Sequence, residues 1–168
     1  VAPVVNYLHD ELDNHNSITY LLEKYKRRVE WFTNSNLLKK YRNAEKSYEQ
    51  IFEDDLRMYL FDQGVEYPFS TPKSSSGRGD IIGQIETDDP LIVEVKFLDK
   101  ERGYGKARIV NGFNQTFQYT NDYNKSIGYL VVFNVDQTNV DIQISNLKTK
   151  SFPPCISING KSIFIIVI

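Results

Sequence analysis

The sequence predicts an α/β fold: a mixed β-sheet of four or more strands flanked by helices, with an N-terminal helical extension. Three observations predict it. Apolar residues recur at helical spacing over 6–33 and again over 43–63. The period then shortens, and "LIVEVKFL" (91–98) and "SIGYLVVFNV" (126–135) are apolar runs of strand length. Helical spacing returns between them, at 106–123. Helices, strands, a helix and further strands, in that order, are the elements of one layered sheet.

In the first stretch, Tyr7, Leu8 and Leu12, then Ile18, Leu21, Leu22, Tyr25, Val29 and Phe32, follow one helical face. "DNHNS" (13–17) breaks it into two helices, with Asn16 or Ser17 capping the second, and "TNSN" (33–36) reads as a turn. Trp31 and Phe32 are expected in helix-packing core. In 43–63 the stripe is Tyr48, Phe52, Leu56, Tyr59 and Leu60, and Gly64 is a natural stop. "VEYPFS" (65–70) is extended, and "TPKSSSGRG" (71–79) is a loop that lacks the lysine–serine ending of a nucleotide-binding loop. Residues 80–86 read as a strand, "TDDP" (87–90) as a tight turn and 91–98 as the returning strand. "DKERGYG" (99–105) is a polar loop. In 106–123, Ile109, Phe113 and Phe117 are expected toward the sheet. The unbroken apolar run at 126–135 predicts a central strand covered on both faces. "VDIQISNL" (140–147) alternates like a peripheral strand, and the last strands fall near 155–158 and 162–168. The natural division is 1–42, the helical extension, and 43–168, the sheet domain.

At 168 residues the chain is of single-domain length, and 40% hydrophobic with 25% charged residues is ordinary for a globular protein. The single cysteine, Cys155, excludes an internal disulfide and a cysteine zinc site, and reads as a small core hydrophobe. No apolar run approaches the about 20 residues that span a bilayer, and no signal peptide is visible, so the expectation is a cytoplasmic protein without a membrane partner. The chain begins at Val1 rather than Met, as a locally numbered or excised piece would, leaving room for a homodimer or a missing partner domain. A net charge of −2 does not announce a nucleic-acid binder, although "KYKRR" (24–28), "KKYR" (39–42), Lys73, Arg78, Lys100, Arg102, Lys106 and Arg108 are locally basic. His9 and His15 are not at a metal-ligand spacing.

Two charges interrupt strand 91–98. Side chains alternate faces, so Leu91, Val93, Val95 and Phe97 share one side while Ile92, Glu94 and Lys96 share the other. A tight turn at 87–90 makes 80–86 and 91–98 antiparallel neighbours and brings Asp80 toward Glu94 and Lys96. Buried charges are costly unless paired, solvated or bound to metal. Two carboxylates and the Val95 carbonyl make a hard, oxygen-rich site suited to Mg²⁺ or Mn²⁺. A lysine beside them can orient water and stabilise charge developing on a phosphate.

"GRGDIIG…LIVEVKF" resembles the core of the PD-(D/E)XK nuclease superfamily, with Asp80 as first acid and Glu94-Val95-Lys96 as the (D/E)-X-K element. Gly79 stands where the family name has proline. "QTFQY" places Gln115 and Tyr119 four apart on the following helix, similar to the Q-x3-Y element of the RecB-like branch. That branch aims its glutamine at the active site. A helical glutamate before the first core strand completes the likeness: Glu53 fits best, with Glu49 and Glu45 on the same face. The resemblance covers about 45–135. It implies a restriction-endonuclease-like sheet and Mg²⁺- or Mn²⁺-dependent phosphodiester hydrolysis, of DNA before RNA. A setting in bacterial antiviral defence or repair would fit. It implies metal ligation by Asp80, Glu94 and the Val95 carbonyl, with Glu53 at a second metal or a metal-bound water. Lys96 would position the attacking water and Gln115 would brace the lysine or a phosphate. Lys73, Arg78, Lys106, Arg108 and Tyr119 would line the nucleic-acid path. The competing expectation is a nuclease-like fold that binds nucleic acid or protein without cutting.

Overall fold

A computed structural model of the protein describes residues 17–65, 80–140, 142 and 153–168. Helix α1 (Ser17–Arg28) passes through a π-helical turn (Val29–Thr33) into α2 (Asn34–Asn43), and α3 spans Tyr48–Asp62. Strands β1 (Ile81–Gly83) and β2 (Leu91–Leu98) follow, then α4 (Ala107–Asp122), β3 (Ile127–Asn134), β4 (Cys155–Ile158) and β5 (Lys161–Val167). The sheet has five strands in the order β1-β2-β3-β5-β4. Its inner three, β2, β3 and β5, are parallel, and β1 and β4 close the edges antiparallel to their neighbours. The unbroken apolar strand β3 is the central one, as its composition requires: a strand covered on both faces has no polar side.

The two faces of β2 separate as alternation dictates. Leu91, Val93, Val95 and Phe97 join Ile18, Leu22, Tyr25, Leu37, Tyr41, Phe52, Leu56 and Leu60 in the core beneath α1–α3. The helices of the expected 1–42 extension thus share their core with α3 and the sheet. On the other face, Leu98, Leu130, Val132 and Ile165 form a smaller core under α4. That helix meets the sheet through small residues together with Ile109 and Phe113, which are half-buried and pack against this core as expected, whereas Phe117 is half-buried without joining it. Gly112, Thr116, Tyr119 and Thr120 are its buried positions. A Cβ on Gly112 would lie 2.7 Å from Leu130 Cδ1 and from Lys96 Cγ, so only glycine allows this approach.

Several boundaries differ from expectation. "TNSN" does not turn: the π turn runs straight into α2. Its extra residue per turn rotates the helix face, so Trp31 and Phe32 stand 70% and 80% exposed instead of joining the core. Helix α3 starts at Tyr48, after Ser47 in a left-handed conformation (φ 52°), and stops at Gly64 (φ 83°) as anticipated. Strand β1 holds three residues instead of seven, because Gln84 (φ 52°) turns the chain early. Of the two residues expected to cap α1, Asn16 lies outside the described residues and Ser17 turns its hydroxyl to another partner. Asp89, in the β1–β2 turn, accepts hydrogen bonds from the Ser17 hydroxyl (2.5 Å) and the Ile18 N–H (3.2 Å), placing a carboxylate at a helix N-terminus. Cys155 is half-buried rather than core, since β4 is an edge strand. Residues 6–16 and 66–79 lie outside the described residues, as does all of 140–147 except Val140 and Ile142, which are not in a strand. No helix among the described residues is long and apolar enough to cross a membrane.

Candidate active site

β1 and β2 pair with Ile81 opposite Val93. Extending that register by one residue sets Asp80 level with Glu94, on the same face of the sheet. Asp80 stands where the β1 ladder ends. The Val95 N–H, which has no strand partner at this edge, donates to Asp80 Oδ2 at 2.7 Å. N–H and C=O of one strand residue leave on the same side, so the Val95 carbonyl opens on the edge that Asp80 occupies. The Asp80 side chain thereby takes the place of a missing rung.

Glu94 is 2% exposed and forms an ion pair with Lys96 through Oε1. Its Oε2 is buried with no hydrogen-bond partner. The Lys96 stem runs under Gly112, which confines the ammonium to the carboxylate side. Helix α3 adds Glu53 and Arg57, one turn apart. Arg57 donates to the Asp80 backbone carbonyl (2.8 Å), to Glu53 (3.4 Å) and to Asp54 (3.1 Å). It pins α3 to the sheet edge at the residue where β1 begins.

The electrostatics tie these groups together. Burial, and then the charge of Asp80, pushes the Glu94 carboxyl up to about 7 against the opposing pull of Lys96. Burial and the same aspartate push Glu53 up to about 7, opposed by Arg57. Asp80 is itself raised by burial, against the Val95 N–H, Lys96 and Arg57. Tyr119 is buried, and burial and then the charges of Glu94 and Asp80 push it up to about 12, so it lies within the field of the same cluster. Glu49 adds to the negative field at Glu53 and Asp80 and lies 3.4 Å from Arg108. Glu45 is exposed and precedes α3. Of the three helical candidates, Glu53 is the one held against the cluster.

The structure therefore brings Asp80, Glu94, Val95, Lys96, Glu53 and Tyr119 together. Gln115 is half-buried one turn past Gly112, and its side chain makes no hydrogen bond to a described residue. Lys106 is exposed ahead of α4, while Arg108 is engaged by Glu49 and lies over the Tyr104 ring. Lys73 and Arg78 lie outside the described residues. Arg57 carries one sequence signal, its spacing of four from Glu53.

A metal finds partial provision here. The unpartnered Glu94 Oε2, the adjoining Asp80 carboxylate and the Val95 carbonyl are hard oxygen donors of the kind Mg²⁺ and Mn²⁺ prefer. Among the described residues no three Asp, Glu, His or Cys side chains are grouped closely enough to hold an ion. Ligation would then rest on two carboxylates and a carbonyl, with water filling the remaining positions. Comparison with family profiles, with curated proteins and with solved structures returned no match.

Proposed function

We propose that the protein is a metal-dependent nuclease with a restriction-endonuclease-like core, hydrolysing phosphodiester bonds of DNA. One observation carries this reading: Asp80 and the Glu94–Lys96 pair converge at a sheet edge, around a buried carboxylate oxygen that nothing satisfies. An orphaned buried acceptor costs roughly 1–3 kcal/mol, and a bound cation would remove that cost.

Hydrolysis adds water across a P–O ester bond, leaving a phosphate and an alcohol. A divalent ion, when bound, supplies charge neutralisation and Lewis acidity toward the phosphate. Asp80 and Glu94 offer the anionic oxygens that hold it. Lys96, aligned by Glu94 and confined by Gly112, orients the attacking water and offsets negative charge building on phosphorus. Glu53, held near 7 beside Arg57, is poised to accept or return a proton at neutral pH.

The test is incubation with plasmid, single-stranded DNA and RNA, in Mg²⁺ or Mn²⁺ and in EDTA. Cleavage that needs the metal and disappears in Lys96→Met is the expected result. A second reading, a nuclease-like fold that binds without cutting, is favoured by the Lys96–Glu94 ion pair, which neutralises the acid without a metal. Metal-independent nucleic-acid binding with no product in any arm would select it.

A further inference from the structure

Beside the acid cluster lies a cleft of about 350 Å³, lined by Ser47, Tyr48, Glu49, Gln50, Glu53 and Tyr104. Glu53 belongs to both, so the cleft adjoins the candidate site. Its walls are unusually fixed. The Tyr48 and Tyr104 hydroxyls share a hydrogen bond of 2.7 Å. The Arg102 guanidinium lies 3.7 Å from the Tyr48 ring centroid, and Arg108 lies 3.8 Å from that of Tyr104. Each cation is held from behind. Arg102 approaches the buried Asp99 at 3.5 Å and donates to the Tyr41 carbonyl at 3.3 Å, and Arg108 is drawn to Glu49 at 3.4 Å. Hydrolysis as described above uses neither tyrosine and neither arginine.

Aromatic rings, guanidinium groups and carboxylate acceptors in one small cleft match a particular ligand. A nucleobase presents a π-face to tyrosine and amino or imino donors to carboxylates, and its own phosphate to arginine. The volume suits one nucleotide. A base in an intact duplex cannot offer its face, since it is stacked within the helix, whereas an unpaired base can.

We infer that this cleft is a base-binding subsite for an unpaired nucleotide beside the bond to be cut, so that the substrate is single-stranded or frayed DNA. The inference rests on the phosphodiesterase reading for its placement next to Glu53. Tyr104 supplies the stacking surface, and Arg108 meets the neighbouring phosphate.

The test uses Lys96→Met protein with Mg²⁺, which is expected to bind without cutting, and an oligonucleotide carrying 2-aminopurine, presented single-stranded and in duplex. The expected result is affinity for the single strand about tenfold or more above that for the duplex, with fluorescence quenched by stacking. Adding Tyr104→Leu should weaken single-strand binding by about five- to a hundredfold and abolish the quenching, the range one base–aromatic stack is worth. Tyr104→Phe should keep both. If thermal melting shows that Tyr104→Leu does not fold, Arg108→Met is read for the loss of affinity. Equal affinities for single strand and duplex, or quenching that survives Tyr104→Leu, overturn the inference. Stacking without hydrolysis of any substrate by the unaltered protein would overturn the nuclease reading and leave the subsite standing. Hydrolysis of duplex without stacking would do the reverse.

Discussion

Glu94 carries two opposed demands. It sits in a strand whose other residues are apolar except its own partner Lys96, and only one of its oxygens is satisfied. A carboxyl near 4.5 in the unfolded chain and near 7 in the folded one retains its proton longer when folded. The folded state then binds more protons between those values, so stability falls as pH rises from about 4.5 to 7 and stays low above. One pKa unit corresponds to 1.36 kcal/mol, which sets a ceiling of roughly 3 kcal/mol on the cost. Glu94→Gln removes that cost but also the ion pair with Lys96, leaving a net gain of about 1 kcal/mol in the metal-free protein at pH 8. The gain should vanish near pH 5, as urea or thermal unfolding at the two pH values will show. Lys96→Met should act in the opposite sense at pH 8, lowering stability by about 1–3 kcal/mol because a buried carboxylate loses its partner, while retaining the fold. Asp80, Glu94 and Lys96 were legible in sequence because strand alternation assigns faces without further information. The family resemblance favours Glu53, whereas its separation from Glu49, and the position of Glu45 ahead of α3, needed the packing of α3 on the sheet edge. Placing Gln115 required knowing which side of α4 meets the sheet.

Helix α4 shows how an element can hide that information. Ile109 and Phe113 do pack on the core over the sheet, but the closest approach is made by Gly112, Thr116 and Thr120, with Gly128 of β3 receiving the threonines. Small residues permit a close approach, and it is this closeness that presses the helix on the Lys96 stem. Gly112→Ala is expected to destabilise by about 1–3 kcal/mol, the usual cost of overpacking, and to displace Lys96. A thermal melt together with a cleavage assay will test both. Loss of stability with undiminished cleavage would show that the contact does not position the lysine. The π turn was illegible for a related reason. Its neighbours follow ordinary helical spacing, and nothing in "VEWFT" distinguishes a wider turn from a break, so Trp31 and Phe32 were assigned to the wrong side.

At the scale of the molecule, the sheet and its two covering layers followed from periodicity, including the central position of β3. The strand order did not, since nothing in the local pattern of β5 says that it inserts beside β3 rather than following β4 outward. A cation held by the folded site alone must stabilise the whole domain. Mg²⁺ at 100 times its dissociation constant should add about 2.7 kcal/mol, read as a rise in melting temperature that EDTA reverses and Asp80→Asn removes. No shift in the unaltered protein would count against a metal site. The insertion of β5 has a consequence for biosynthesis. It follows β4 in sequence, yet it fills the gap between β3 and β4. A chain emerging from the ribosome must therefore hold the apolar run Ile127–Asn134 with one hydrogen-bonding edge bare until Lys161–Val167 has left the exit tunnel. Bare apolar edges invite pairing with other chains, so that interval is the one in which the nascent chain is most exposed to aggregation.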